Sequence, residues 1–315
     1  MAEFDVIANY FSRPAQADVG IGDDAALIRV RDGYQLAVSA DMSVAGTHFF
    51  SDINPFAIGW KSMAVNISDM AAMGAEPKWA TLSIALPELD ESWLRDFSDG
   101  LFKCAEAFGV SLIGGDTTRG PLTIAINIMG EVPFGQALQR NGAQVGDDIW
   151  VSGELGCAAL WLQYRLGQLV LHAEDVAMLA TAMHHPQPRV ALGQALRGVA
   201  TAALDISDGL LADLGHILKA SKVGAMLDWQ AISQPVLQYS QVSELVMQQA
   251  VLTGGDDYEL CFTAPATERQ TVLALSAQLG LPLSRIGKVQ AEPGLQVFDA
   301  NNPIVLSQKG YDHFG

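Results

Sequence analysis

Cysteine is scarce: three residues in 315, Cys104, Cys157 and Cys261, far apart and with no C-x-x-C among them. That excludes a disulfide framework and a cysteine-based zinc site. It fits a reducing compartment, where such side chains serve as small buried hydrophobes. Positive charge is short as well. Against 35 Asp plus Glu stand 18 Lys plus Arg, a net charge of −17, and the basic residues form no patch. Nothing here neutralises a nucleic-acid backbone or an anionic membrane, so neither is expected as a partner. Phosphorylated small molecules stay open, provided that metal ions supply the positive charge. No apolar run reaches the length of a membrane span, and the start, MAEFDVIA, carries acids where a signal peptide needs bases. A soluble, cytoplasmic protein is expected.

Half of the residues are hydrophobic and 17% are charged, which leaves ample apolar surface for a packed core and excludes general disorder. The length suits two domains of ordinary size. Periodicity predicts short strands at 25–30 and 34–39, a helix at 54–72, a strand at 79–86, a helix at 91–108 closed by Gly109, and strands at 110–113 and 122–132. Residues 133–146 (PFGQALQRNGAQVG) lack strong periodicity and mark the expected boundary. The expected domains are 1–135 and 136–315. Beyond the boundary, strands are expected at 148–152, 204–207, 224–228, 259–263 and 283–289, with helices at 157–166, 174–183, 209–220 and 267–278. The pattern is a mixed α/β (α+β) one, not a simple βαβ repeat.

The carboxylates gather in six clusters beside Gly and Ser: GIGDD (20–24), SAD (39–41), ISD (67–69), GGD (114–116), DISD (205–208) and GGDDYE (254–259). Four of them follow or end apolar strands, which should bring their side chains out at strand ends, where α/β proteins place sites. Hard oxygen ligands suit Mg²⁺, which binds one or two carboxylates plus substrate phosphates. Each cluster alone also reads as a turn or helix cap. The usual nucleotide motifs are missing. There is no G-x-x-x-x-G-K-[ST], and 20–25 imitates a dinucleotide fingerprint but precedes a strand instead of following one.

In their order, GIGDDAAL (20–27), SADMSVAGTHF (39–49), NISDMAAMGA (66–75), GGDTTRG (114–120), DISDGLLADL (205–214), TGGDDYEL (253–260) and GYDHF (310–314) resemble the thiamine-monophosphate kinase family. That family belongs to the aminoimidazole-ribonucleotide-synthetase-like superfamily. The resemblance implies ATP-dependent conversion of thiamine monophosphate to thiamine diphosphate, the last step in making that cofactor, with several Mg²⁺ ions. By motif position it implies Asp24, Asp41, Asp69, Asp116, Asp205 and Asp208 as magnesium ligands, supplemented by Ser39 and the backbone of Ala40. Gly115, Asp116, Arg140 and Ser207 resemble ATP-contacting positions, and His48, Glu259 and Tyr311 the thiamine-monophosphate side. The implied fold has an N-terminal ATP/Mg-binding domain whose mixed sheet forms a barrel-like homodimer, and a C-terminal α/β domain.

Read without the family, His48 is a surface-loop histidine, Glu259 a strand-edge charge, Tyr311 a tail aromatic packed on the core and Arg140 a solvated loop charge. Phe314 competes with Tyr311 for the substrate aromatic. Selenophosphate synthetases need a reactive residue in an N-terminal Gly-rich loop and hydrogenase-maturation relatives a C-terminal cysteine; this sequence has cysteine at neither place. A purine-pathway synthetase and a non-catalytic acidic binder remain as rivals. For a kinase of this kind no general base is expected, since a phosphate monoester is mostly dianionic at neutral pH.

Overall fold

The structure is a computed structural model and describes residues 3–306. The chain divides into two compact units. One runs to Ala71 and resumes over Ala75–Gly135; the other takes Ala72–Gly74 and the chain from Gln136 onward.

The first unit begins with a short helix, α1 (Glu3–Val6), and a π-helical turn at Ile7–Phe11. It continues through β1 (Tyr34–Val44), α2 (Pro55–Ala72), β2 (Glu76–Leu86), α3 (Glu91–Phe108), β3 (Ser111–Arg119) and β4 (Thr123–Pro133). The four strands form one sheet in the order β1-β4-β2-β3, with β2 and β3 parallel and the other pairs antiparallel. Helix α3 makes the crossover that parallel strands require. Its ends are set locally: Asp90 accepts from the N–H groups of Ser92 and Trp93, and Gly109 closes the helix in the left-handed conformation. Helix α2 is apolar on nearly every side, and Met63, Ala64, Ile67, Met70 and Ala71 are fully buried. It meets α3 backbone to backbone. A β-carbon on Gly100 would lie 1.9 Å from the Phe56 carbonyl oxygen, so no larger residue fits there.

The second unit holds β5 (Asp148–Ser152), α4 (Cys157–Arg165), α5 (Ala173–His184), α6 (Val190–Ala195), β6 (Ala202–Asp205), α7 (Leu210–Ser221) and β7 (Gly224–Asp228). Then come α8 (Glu244–Thr253), β8 (Leu260–Ala264), α9 (Arg269–Leu279), β9 (Leu283–Gln290), β10 (Gly294–Asp299) and β11 (Asn302–Ile304). Its sheet has the order β11-β10-β7-β9-β5-β8-β6, antiparallel except for β10 beside β7. Every residue of β5, β6 and β8 is buried, as strands covered on both faces should be.

Two expectations need correction. Residues 25–30 form no strand: their alternation was real, but the segment folds back on 18–19, with Leu27 exchanging hydrogen bonds with Val19. The strands expected at 34–39 and 110–113 run on to Val44 and Arg119, which places the 39–41 and 114–116 clusters inside strands and not at their ends. Helices α6 and α8 and strands β10 and β11 carried no periodic signal strong enough to predict. Among the described residues, no helix is long and apolar enough to cross a membrane.

Candidate active site

In the first unit, the spacing of Asn66-Ile67-Ser68-Asp69 on α2 decides what meets β1. Asn66 and Asp69 lie three residues apart on one helix face, while Ile67 and Met70 turn into the core. Asn66 is buried; its amide donates to the Ser62 carbonyl at 2.9 Å, and its Oδ1 accepts from the Asp41 N–H at 3.2 Å. The Ser39 hydroxyl donates to Asp69 Oδ2 at 2.5 Å. Ser39 and Asp41, two residues apart on β1, thus face the helix, and Ala40 between them faces away. The packing around the Asp41 carboxyl pushes it up to about 6, and the Asp69 carboxylate pushes it the same way, although Asp41 is an exposed residue and water moderates both effects. Two carboxylates that disfavour each other's charge make a place for a cation.

His48 sits in the turn that leaves β1. Its Nδ1 accepts from the Val44 N–H at 3.0 Å, while its own backbone N–H donates to the Val44 carbonyl at 2.9 Å. A backbone N–H can only donate, so Nδ1 is unprotonated and the neutral ring carries its proton on Nε2. This histidine is set to donate and not to abstract a proton.

Gly115 and Asp116 are elsewhere on the sheet. A β-carbon on Gly115 would lie 1.8 Å from the Leu82 carbonyl oxygen, so the glycine lets β3 run hard against β2. Register places Asp41, Ile126, Leu82 and Gly115 in one row, and Met42, Ala125, Ser83 and Asp116 in the next. Asp116 therefore lies on the opposite face from Asp41 and at the other edge, three strand spacings or about 14 Å away. One chain does not bring Asp116 to the Asp41–Asp69 pair. Asp24 stands in an exposed bend. The open face also exposes Leu36, Val38 and Met42 of β1.

In the second unit, the clusters at 205–208 and 254–259 are joined. Ile206 donates to the Glu259 carbonyl, Tyr258 to that of Ile206 and Asp256 to that of Ser207, which continues the β6–β8 pairing into the two loops. Asp205 is buried, Ser207 exposed and Asp208 half-buried. Asp213, one turn into α7, accepts from the N–H groups of Ser207 (3.0 Å), Asp208 (2.9 Å) and Gly209 (3.1 Å). Burial pushes Asp213 up to about 6, against the pull of those hydrogen bonds. Arg140 lies alongside β6, where the Ala203 N–H donates to the Gln139 carbonyl.

Glu259 is no strand-edge charge. It is buried, it pairs through both oxygens with the Arg189 guanidinium, and it accepts from the Ser152 hydroxyl. Nearby, Asp257 accepts from the Gly156 N–H at the start of α4, its Oδ2 is enclosed without a partner, and burial raises its carboxyl far above the ordinary range. Glu154 is raised by burial and then by Glu259. Arg189 and Ser152 were not singled out from the sequence, and Asp213 and Asp257 stood inside quoted motifs without a role of their own. Arg189 ends a His-Pro-Gln-Pro-Arg stretch that reads as a break, and nothing local announces its partner. Tyr311 and Phe314 lie outside the described residues.

Among the described residues, no group of three or more His, Cys, Asp or Glu side chains is arranged to hold a metal ion. The oxygen-only Asp41–Asp69 pair fits Mg²⁺, which takes one or two carboxylates and completes its shell with water and phosphate, better than a caged ion.

This fold and these acidic loops define a class. Residues 22–132 match the family "AIR synthase related protein, N-terminal domain", and 144–300 match its C-terminal domain. The Salmonella typhimurium protein named thiamine-monophosphate kinase is 45% identical over 99% of this chain and 98% of its own. The crystal structure of thiamine-monophosphate kinase from Stenotrophomonas maltophilia superposes with a TM-score of 0.85, at 46% identity over 93% of this chain and 94% of that one. AaThiL complexed with AMPPCP and TMP superposes with a TM-score of 0.77, at 28% identity over 99% of this chain and 96% of that one. The chain belongs to the AIR synthase related family and, within it, to the thiamine-monophosphate kinases.

Proposed function

We propose that this protein transfers the γ-phosphoryl group of ATP to thiamine monophosphate, giving thiamine diphosphate and ADP in the cytoplasm. The observation that carries the reading is the 45% identity with the S. typhimurium kinase across 99% of the chain. Asp24, Ser39, Ala40, Asp41, Asp69, Asp116, Asp205 and Asp208 hold Mg²⁺ ions in this proposal. Gly115, Asp116, Arg140 and Ser207 meet ATP, and His48, Glu259 and Tyr311 meet thiamine monophosphate. Bound Mg²⁺ would neutralise the phosphates that a chain of charge −17 otherwise repels.

The acceptor phosphate has a second pKa of about 6 and has little proton to lose at neutral pH. Positioning then does what a base does elsewhere, and His48, with its proton on Nε2, donates to the substrate. Transfer is direct and in line, without a phosphoenzyme. Glu259, its charge balanced by Arg189, orients and does not serve as a bare counter-ion. The open sheet face with Leu36, Val38 and Met42 is the face that a homodimer barrel would close inward.

The test is ADP formation with ATP and Mg²⁺, with and without thiamine monophosphate. Turnover only in its presence, with thiamine diphosphate as product and inversion at a chiral γ-phosphorus, supports the proposal. ADP release independent of thiamine monophosphate would sink it.

A further inference from the structure

Resting on that reading, we infer that Asp213 is a positioning residue: it occupies the backbone amides of Ser207, Asp208 and Gly209, so that these amides are closed to phosphate and the neighbouring carboxylates reach it through cations. Three N–H groups, from Ser207, Asp208 and Gly209, converge on the single oxygen Oδ2 at 2.9 to 3.1 Å. The loop's carbonyls are committed too. Ile206 and Ser207 accept from Tyr258 and Asp256, and the Ile206 N–H goes to Glu259.

Successive amides at a Gly-containing turn before a helix are the arrangement that cradles phosphate directly in many nucleotide-binding proteins. Here Gly209 precedes the twelve-residue helix α7 and has no side-chain cap of its own; the carboxylate from the helix's first turn fills the cradle from within. A carboxylate at a helix N-terminus is favoured by the same dipole that would favour phosphate. With these amides and the Ile206, Ser207 and Gly209 carbonyls spoken for, the side chains the loop presents are the Ser207 hydroxyl, which is exposed, and the carboxylates of Asp205 and Asp208. Those carboxylates repel phosphate unless a cation lies between. The plug has two consequences. It fixes the backbone that carries Asp205 and Asp208, and it removes the backbone-amide mode of phosphate binding from this loop.

The test compares the intact protein with Asp213→Ala, Asp213→Asn and Asp213→Glu. In Mg²⁺-free buffer, inorganic phosphate should raise the melting temperature of Asp213→Ala, whose cradle is emptied, and leave that of the unaltered protein unchanged. That readout needs no turnover, so it stands or falls apart from the kinase reading, which fails instead if the unaltered protein makes no thiamine diphosphate. In turnover, Asp213→Ala should raise the Mg²⁺ half-saturation about tenfold or more. It should raise KM for ATP as well, and leave KM for thiamine monophosphate within about twofold. Asp213→Asn keeps an oxygen for the same amides and should restore the Mg²⁺ dependence. Asp213→Glu keeps the charge but displaces the oxygen, and should resemble the alanine variant even where that one folds poorly. An unaltered Mg²⁺ half-saturation in both Ala and Glu variants overturns the inference. So does an Asn variant as impaired as Ala, or phosphate stabilisation of the unaltered protein equal to that of Asp213→Ala.

Discussion

Replacing Asp69 by asparagine should make the metal-free protein more stable while abolishing its turnover. The Asp41 carboxyl stands at about 6 instead of 3.8, first through burial and then through the Asp69 carboxylate. A fully enclosed group so displaced would cost about 3 kcal/mol at neutral pH. Asp41 keeps a solvent-exposed edge, and water screening reduces that to about 1 kcal/mol. Burial, the larger cause, remains in the variant, so less than half of this, below ~0.5 kcal/mol, should return, a rise of about 1 °C in Tm. The Ser39 hydroxyl loses nothing, because the side-chain carbonyl of the introduced asparagine can accept from it as Asp69 Oδ2 does. The pH dependence has a definite sign. A carboxyl raised in the folded state binds its proton more readily there than in the unfolded chain, so the deficit exists above about pH 6 and fades as pH falls toward about 4. Thermal melts in a chelator should therefore show Asp69→Asn ahead at about pH 7.5 and level with the unaltered protein near pH 4. Added Mg²⁺ should reverse the order, since saturation at a hundredfold Kd stabilises only the metal-binding protein, by about 2.7 kcal/mol. A variant that melts lower in chelator at neutral pH, or whose advantage grows as pH falls, would refute the argument.

Arg189→Ala leaves the Glu259 carboxylate buried and unpaired, so stability should fall by about 3–5 kcal/mol by denaturant titration. In that variant KM for thiamine monophosphate should rise more than KM for ATP, and equal changes would mark the pair as structural only. Asp148, fully buried, is held below the usual carboxylate range by Arg269 against the opposing effect of burial. Asp148→Ala leaves Arg269 and Arg285 in reach of solvent, so it should lower stability by less, about 1–3 kcal/mol, while leaving both KM values unchanged in the folded fraction, which a melt and steady-state rates would check. Val38→Lys places a charge on the open face of β1; if the proposed homodimer forms through that face, sedimentation should show the variant as a monomer that keeps its far-UV signature.

What the sequence determined by itself is local and chemical. Asp90 and Gly109 bound α3, the apolar run made α2, and Asn66 and Asp69 at i and i+3 share a helix face, because capping, periodicity and side-chain spacing act within a turn or two. The ordered acidic clusters carried the family in the same way. Which clusters meet was decided by tertiary structure. The SAD and ISD acids pair because β1 lies under α2, whereas GGD, equally acidic, goes to the far edge because the strand order is β1-β4-β2-β3. The 205–208 and 254–259 loops join only because β6 and β8 are neighbours, and Arg189 finds Glu259 across 70 residues of chain. Such pairings depend on the closure of long loops and on the packing of whole sheets, neither of which leaves a mark on the residues nearby.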